Sequence, residues 1–167
     1  MVNKRHLSKT AGYFYKAVLL FSDAYQELPR SARDLLHCLV YELRYLRNKS
    51  TKRFSYPNNG KVSYTEIQFK EEFGYSSNTY ITARNRLINN GLIKQTHRGG
   101  MCRGDMATYK VLITPDLLES ELRWLSYPEK NWEKEIPKNK NTLVGVKTRF
   151  KSKPTLINST LNGEIHP

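Results

Sequence analysis

The chain has only two cysteines in 167 residues, too few for a disulfide framework. Cys38 falls among Leu35, Leu36, Leu39 and Val40 and reads as a small buried hydrophobe. Cys102 lies in a glycine-rich turn near His97, without the closely spaced partners that a metal ion needs. Long hydrophobic runs are also missing. The longest, residues 17–21, falls far short of the roughly 18 apolar residues of a membrane span. The first ten residues are basic but lack the apolar region and cleavage site of a secretory signal, so residence in the cytoplasm is expected. The four histidines (His6, His37, His97 and His166) are scattered, with no ligand-spaced pair. No phosphate-binding loop, nucleophile elbow or paired-acid motif occurs. Glu71 and Glu72 are neighbours on an expected helix and so point in different directions. The expectation is a chain that is not an enzyme and uses neither metal nor cofactor.

Acids are the other shortage: 15 against 28 lysines and arginines, for a net charge of +13. Such a charge on a small protein attracts polyanions, nucleic acid first and anionic membrane second. At 38% the hydrophobic share is low for a fully packed globule, which leaves part of the chain outside a core. The expected organisation is a flexible basic arm over 1–12, a folded domain over 13–114, a helical extension over 115–137 and a mostly disordered basic tail over 138–167.

Within the domain, residues 13–21 fit strand and helix equally. Ala32, Leu35, Leu36, Leu39, Val40, Leu43 and Leu46 recur at three and four, which predicts a scaffold helix over 29–47. Residues 48–60 are polar and turn-rich, and 60–63 form a short extended segment. Ser63 and Glu66 have the spacing of a capping box, and Phe69 and Phe73 share one face of the helix it would open. Gly74 ends that helix. After the turn Gly74-Tyr75-Ser76, a second helix capped by Ser76 or Ser77 should run to about Asn90, with Gly91 as its stop. Two extended segments, 92–96 and 107–113, then flank a tip with glycines at 99, 100 and 104. Leu117, Leu118, Leu122 and Leu125 give 115–127 a helical packing face.

A capped helix, a glycine turn, a second capped helix and a hairpin suit a helix–turn–helix whose second helix enters the DNA major groove. Its exposed residues should be Ser77, Asn78, Thr79, Thr82, Asn85, Arg86 and Asn89, amide, hydroxyl and guanidinium groups of the kind that read base edges. No acid occurs from 74 to 104, whereas Lys94, Arg98 and Arg103 line the hairpin, as a phosphate-facing wing requires.

The run Ser76-Ser77-Asn78-Thr79, then Asn85-Arg86-Leu87-Ile88-Asn89-Asn90-Gly91-Leu92-Ile93, resembles the recognition helix and first wing strand of winged-helix regulators. The wider arrangement over 13–113, from the helix at 29–47 to the wing ending Ala107-Thr108-Tyr109-Lys110-Val111, is similar to small phage, prophage and plasmid proteins of the replication protein O type. That resemblance implies an α+β, mainly helical winged helix–turn–helix, a three-helix core with a β-hairpin wing, here with an extra C-terminal helix and disordered basic tails. It implies sequence-specific binding of duplex DNA in replication initiation or transcriptional regulation. Two other readings stay open: a winged-helix adaptor that binds protein, and an RNA-binding module, against which the stacking aromatics do not obviously cluster. The 138–167 tail, with Leu143, Val144 and Phe150 punctuating a basic segment, suits either a replication or regulatory protein or nucleic acid. No membrane partner is expected, and the oligomeric state is left open.

Overall fold

In the computed structural model, which describes residues 15–47, 49–51, 54–100 and 104–138, five α-helices and two short antiparallel sheets form an α+β, mainly helical fold. The expected arm over 1–12 and all but the first residue of the tail lie outside the described residues, as do Cys102 and Arg103.

The described part of the stretch that fitted both strand and helix carries a single-turn helix, α1 (Ala17–Leu20), and a second, α2 (Asp23–Gln26), follows it. They bury Leu19, Ala24 and Tyr25. The scaffold helix α3 (Arg30–Tyr41) buries Ala32, Leu35, Leu36, Leu39 and Val40, as its stripe predicts. It stops short of the expected Arg47, and Asn58 supplies the reason. The Asn58 side chain accepts from Arg44 N–H at 2.7 Å and donates to the Glu42 carbonyl at 2.8 Å, taking up backbone groups that the next helical turn would have used. Cys38, on α3, is half-buried, and burial pushes its thiol up to about 11.

Leu46 therefore belongs to a hairpin rather than a helix: β1 (Leu46–Arg47) pairs with β2 (Phe54–Ser55) where the sequence suggested only a polar turn. Asn59 ties the exit of this hairpin to the second sheet. Its amide donates to the Val111 carbonyl at 2.9 Å and accepts from Val111 N–H at 2.7 Å. Asn59→Ala removes both bonds at a partly buried site, so urea unfolding should show a loss of about 1–3 kcal/mol. A loss below about 0.5 kcal/mol would mean that water replaces the amide there.

Of the expected extended segment 60–63 only Val62 pairs, in a single bridge to Tyr109, while Gly60 lies in a turn at φ +101° and Lys61 in a bend. The Ser63 hydroxyl is buried and unpartnered, so Ser63 does not cap the next helix. Helix α4 (Glu66–Phe73) is capped two residues later, by a box between Thr65 and Gln68. Gly74, at φ +71°, closes it as expected. Helix α5 (Ser77–Asn89) starts on the Ser76 cap. At its end, Gly91 N–H donates to the Ile88 carbonyl and Leu92 N–H to Leu87, both at 3.0 Å, with Gly91 at φ +72°.

Strands β3 (Ile93–His97) and β4 (Thr108–Val111) form the expected hairpin, with an irregularity at Thr96. At the root of its tip, a side chain on Gly99 would stand 2.4 Å from the Ala107 nitrogen, so glycine is obligatory there.

The expected C-terminal helix is absent from the described residues. Residues 115–137 carry three short 3₁₀ turns, Glu119–Glu121, Arg123–Ser126 and Glu133–Glu135. The expected leucine face does not form: Leu118 and Leu125 are 70% and 44% exposed, and Trp124 is the buried anchor. Tertiary bonds override the helical spacing. Trp124 Nε1–H donates to the Leu112 carbonyl at 3.2 Å, Lys110 holds Glu121 at 2.6 Å, and Arg123 pairs with Glu135 at 2.8 Å. The Lys110 bond and the Leu118 N–H hold the Glu121 carboxyl below its usual pKa.

Candidate nucleic-acid interface

The angle between α4 and α5 is set by a cluster of aromatic rings around Phe69, which is fully buried. Tyr64, Phe73, Tyr75 and Tyr80 place their ring centres 5.1–6.4 Å from it. Tyr75, in the turn, also donates its hydroxyl to Asp34 of α3 at 2.9 Å. Tyr80 donates to the Tyr64 carbonyl at 2.7 Å, and burial raises its pKa. On α5 itself, Tyr80 joins this cluster by its ring and its hydroxyl bond, while Tyr75 ties the preceding turn to α3.

The inner face of α5 is Tyr80, Ala83, Leu87 and Ile88. At about 100° per residue, the opposite line runs through Asn78, Thr82, Asn85 and Asn89. Asn78 and Thr82 are exposed, Asn85 and Asn89 partly so. The Asn85 Oδ1 accepts from its neighbour Arg84 through Nε at 3.2 Å and Nη2 at 3.1 Å, which fixes the amide's direction. Those two bonds occupy both lone pairs of the oxygen, so the amide N–H donors are what Asn85 has left for another partner.

The remaining expected residues are placed otherwise. Thr79 belongs to the helix cap, its N–H donating to Ser76 Oγ at 3.2 Å and its hydroxyl 2.9 Å from the same oxygen. Ser77 donates its hydroxyl to Glu66. Arg86 is exposed on the flank, where its charge acts on Tyr127 against that of Glu27, which accepts the Tyr127 hydroxyl and raises its pKa. Asn89 lends its carbonyl to Trp132 N–H at 3.2 Å. The C-terminal end of α5 is therefore braced, and its N-terminal two-thirds stand clear.

On the hairpin, Lys94 is exposed and sits opposite Lys110 across the strands, a repulsion that Glu121 offsets on the Lys110 side. Arg98 is exposed where the tip begins, and Arg103 falls outside the described residues. The sequence between 74 and 104 has no acid, yet two carboxylates reach this region in space. Glu66 meets Ser77, and Asp105 lies 2.6 Å from the His97 Nε2. Asp105 directly follows the acid-free stretch in the hairpin tip, whereas the approach of Glu66 from α4 was not visible from residue order. Lys61, exposed beside the extended segment, and Arg84 are the further cations that the expected set omitted.

Among the described residues no group of His, Cys, Asp and Glu gathers as a metal site requires, and no helix is long and apolar enough to cross a membrane. No family model, no curated protein and no solved structure matches the chain.

Proposed function

We propose that the chain is a winged-helix protein that binds duplex DNA, with α5 in the major groove and the β3–β4 hairpin along the phosphates. The observation that carries this reading is the outward line of α5: Asn78, Thr82 and Asn85 on a helix whose inner face joins the aromatic cluster through Tyr80. Asn amides pair bidentately with adenine, and Thr offers both a hydroxyl and a methyl to base edges. Phosphate contacts fall to Lys61, Arg84, Arg86, Lys94 and Arg98, cations that α5, the hairpin and the neighbouring extended segment present. The chemistry is recognition without catalysis. On the sequence resemblance, its setting is replication initiation or transcriptional control in a phage or plasmid.

Selection from a randomised duplex pool supplies the preferred site, and anisotropy then compares variants on it. Asn85→Ala should weaken the preferred site by about 1–3 kcal/mol, or about 5–150-fold, and narrow its margin over random DNA. Lys94→Ala should weaken all duplexes alike, since a phosphate contact has no sequence. Equal losses on both duplexes for both variants would remove base reading by α5.

A further inference from the structure

The β1–β2 hairpin carries groups that neither its fold nor the duplex reading uses. Tyr45 and Phe54 pack edge to face with ring centres 6.1 Å apart, and both are about half exposed. The Arg47 guanidinium lies 5.8 Å from the centre of the Phe54 ring. Leu46 is 61% exposed beside them, and Arg44 and Lys49 are exposed on the same short hairpin. From Leu43 to Pro57 the sequence contains no acid. At the hairpin's exit the Asp116 carboxylate accepts from Tyr56 N–H at 3.2 Å.

A hairpin that only connected α3 to α4 would not need exposed rings, since each exposed apolar ring forgoes the stabilisation of burial. A phosphate-only surface would need the cations and no rings. A protein interface also concentrates aromatic rings and arginines, but a partner for this acid-free hairpin would have to be strongly acidic to match its charge. Rings interleaved with cations fit a different ligand: unpaired bases joined by phosphates, where each base offers a face to an aromatic ring or to a guanidinium plane. Paired bases inside a duplex are already stacked on each other and offer no such face. The platform is also held in place. Asn58 clasps Glu42 and Arg44 at its entry, and Asn59 binds Val111 at its exit.

We propose that the β1–β2 hairpin is a second nucleic-acid site, which stacks unpaired bases of single-stranded DNA on Tyr45 and Phe54 while Arg44, Arg47 and Lys49 meet the phosphates. This site is separate from the α5 surface and does not depend on it. A protein with both would hold duplex by one element and an adjoining melted strand by the other.

The test uses the full chain and two labelled probes, a (dT)15 single strand and a blunt duplex of the site preferred by α5. Tyr45→Ala with Phe54→Ala should cost (dT)15 affinity at least about tenfold, since each lost base–ring stack is worth about 1–3 kcal/mol, and leave duplex affinity within about twofold. Thermal melting confirms that the variant folds, as removal of two exposed rings should allow. Phe54→Trp should retain (dT)15 affinity, with its emission quenched by the bound strand. Unchanged (dT)15 affinity in the double alanine variant overturns the proposal, as does an equal loss on both probes. Wild-type binding to (dT)15 but to no duplex would instead sink the α5 reading and leave this one standing.

Discussion

Replacing Trp124 with alanine should lower stability by about 3–5 kcal/mol in urea or thermal unfolding, the range for truncating a buried indole. Trp124 is 3% exposed, packs into the main core and donates its Nε1–H to the Leu112 carbonyl. Truncation leaves a cavity and strips Leu112 of that donor, and the two costs add. The matched control is Leu125→Ala. Leu125 is 44% exposed on the neighbouring position, and its loss should stay within about 0.5 kcal/mol. The helical reading of 115–127 predicts the opposite order, with Leu125 in the packing face. Equal small losses from both variants would show that the extension rests on the core without supporting it.

The second large effect is on salt. If Lys61, Arg84, Arg86, Lys94 and Arg98 supply most of about 4–7 phosphate contacts, duplex affinity should fall about 10²–10⁴-fold between about 50 and 200 mM salt. Each cation bound to a phosphate releases a condensed counterion, so the logarithmic slope counts the contacts. Asp105 beside His97 and Glu66 beside Ser77 work against phosphate nearby, which places the expected slope below that of a wholly basic face. A slope equivalent to one contact or none would contradict a phosphate-bound hairpin and with it the duplex reading.

The helices on either side of the turn were legible because their signals are local. Ser76, Gly74 and Gly91 each act through their own backbone and need no partner elsewhere in the chain. The start of α4 was misplaced by two residues because two capping patterns overlap, Ser63 with Glu66 and Thr65 with Gln68. The second one closes, between Thr65 and Gln68, just after Val62 is bridged to Tyr109 some forty-five residues away. The end of α3 was hidden in the same way, since Leu43 and Leu46 keep the helical spacing but Asn58 takes the backbone groups. Strands of two residues are too short to show a period, so the β1–β2 hairpin left no trace, nor did the meeting of Tyr45 with Phe54. On α5, residue order anticipated the exposure of Ser77, Asn78, Thr82 and Arg86, while Thr79, Asn85 and Asn89 are partly buried. It could not show that Ser77 and Thr79 spend their hydroxyls on Glu66 and on the cap.

If α5 reads DNA as proposed, the brace at its end limits how much text it can read. A Cβ on Gly91 would stand 2.7 Å from the Trp132 ring and 2.8 Å from Arg123, so extension and helix end are fitted to each other without slack. The outward line that remains clear, from Asn78 to Asn85, is about 10 Å long at 1.5 Å per residue, the length of about three base pairs. Three base pairs recur by chance about once in 64 positions, far too often to mark one site among the millions of competing positions in a genome. On that reading, a single copy of the helix would spell only syllables. An address long enough to be unique would have to be spelled by several copies on repeated sites, or by one copy with help from the rest of the chain.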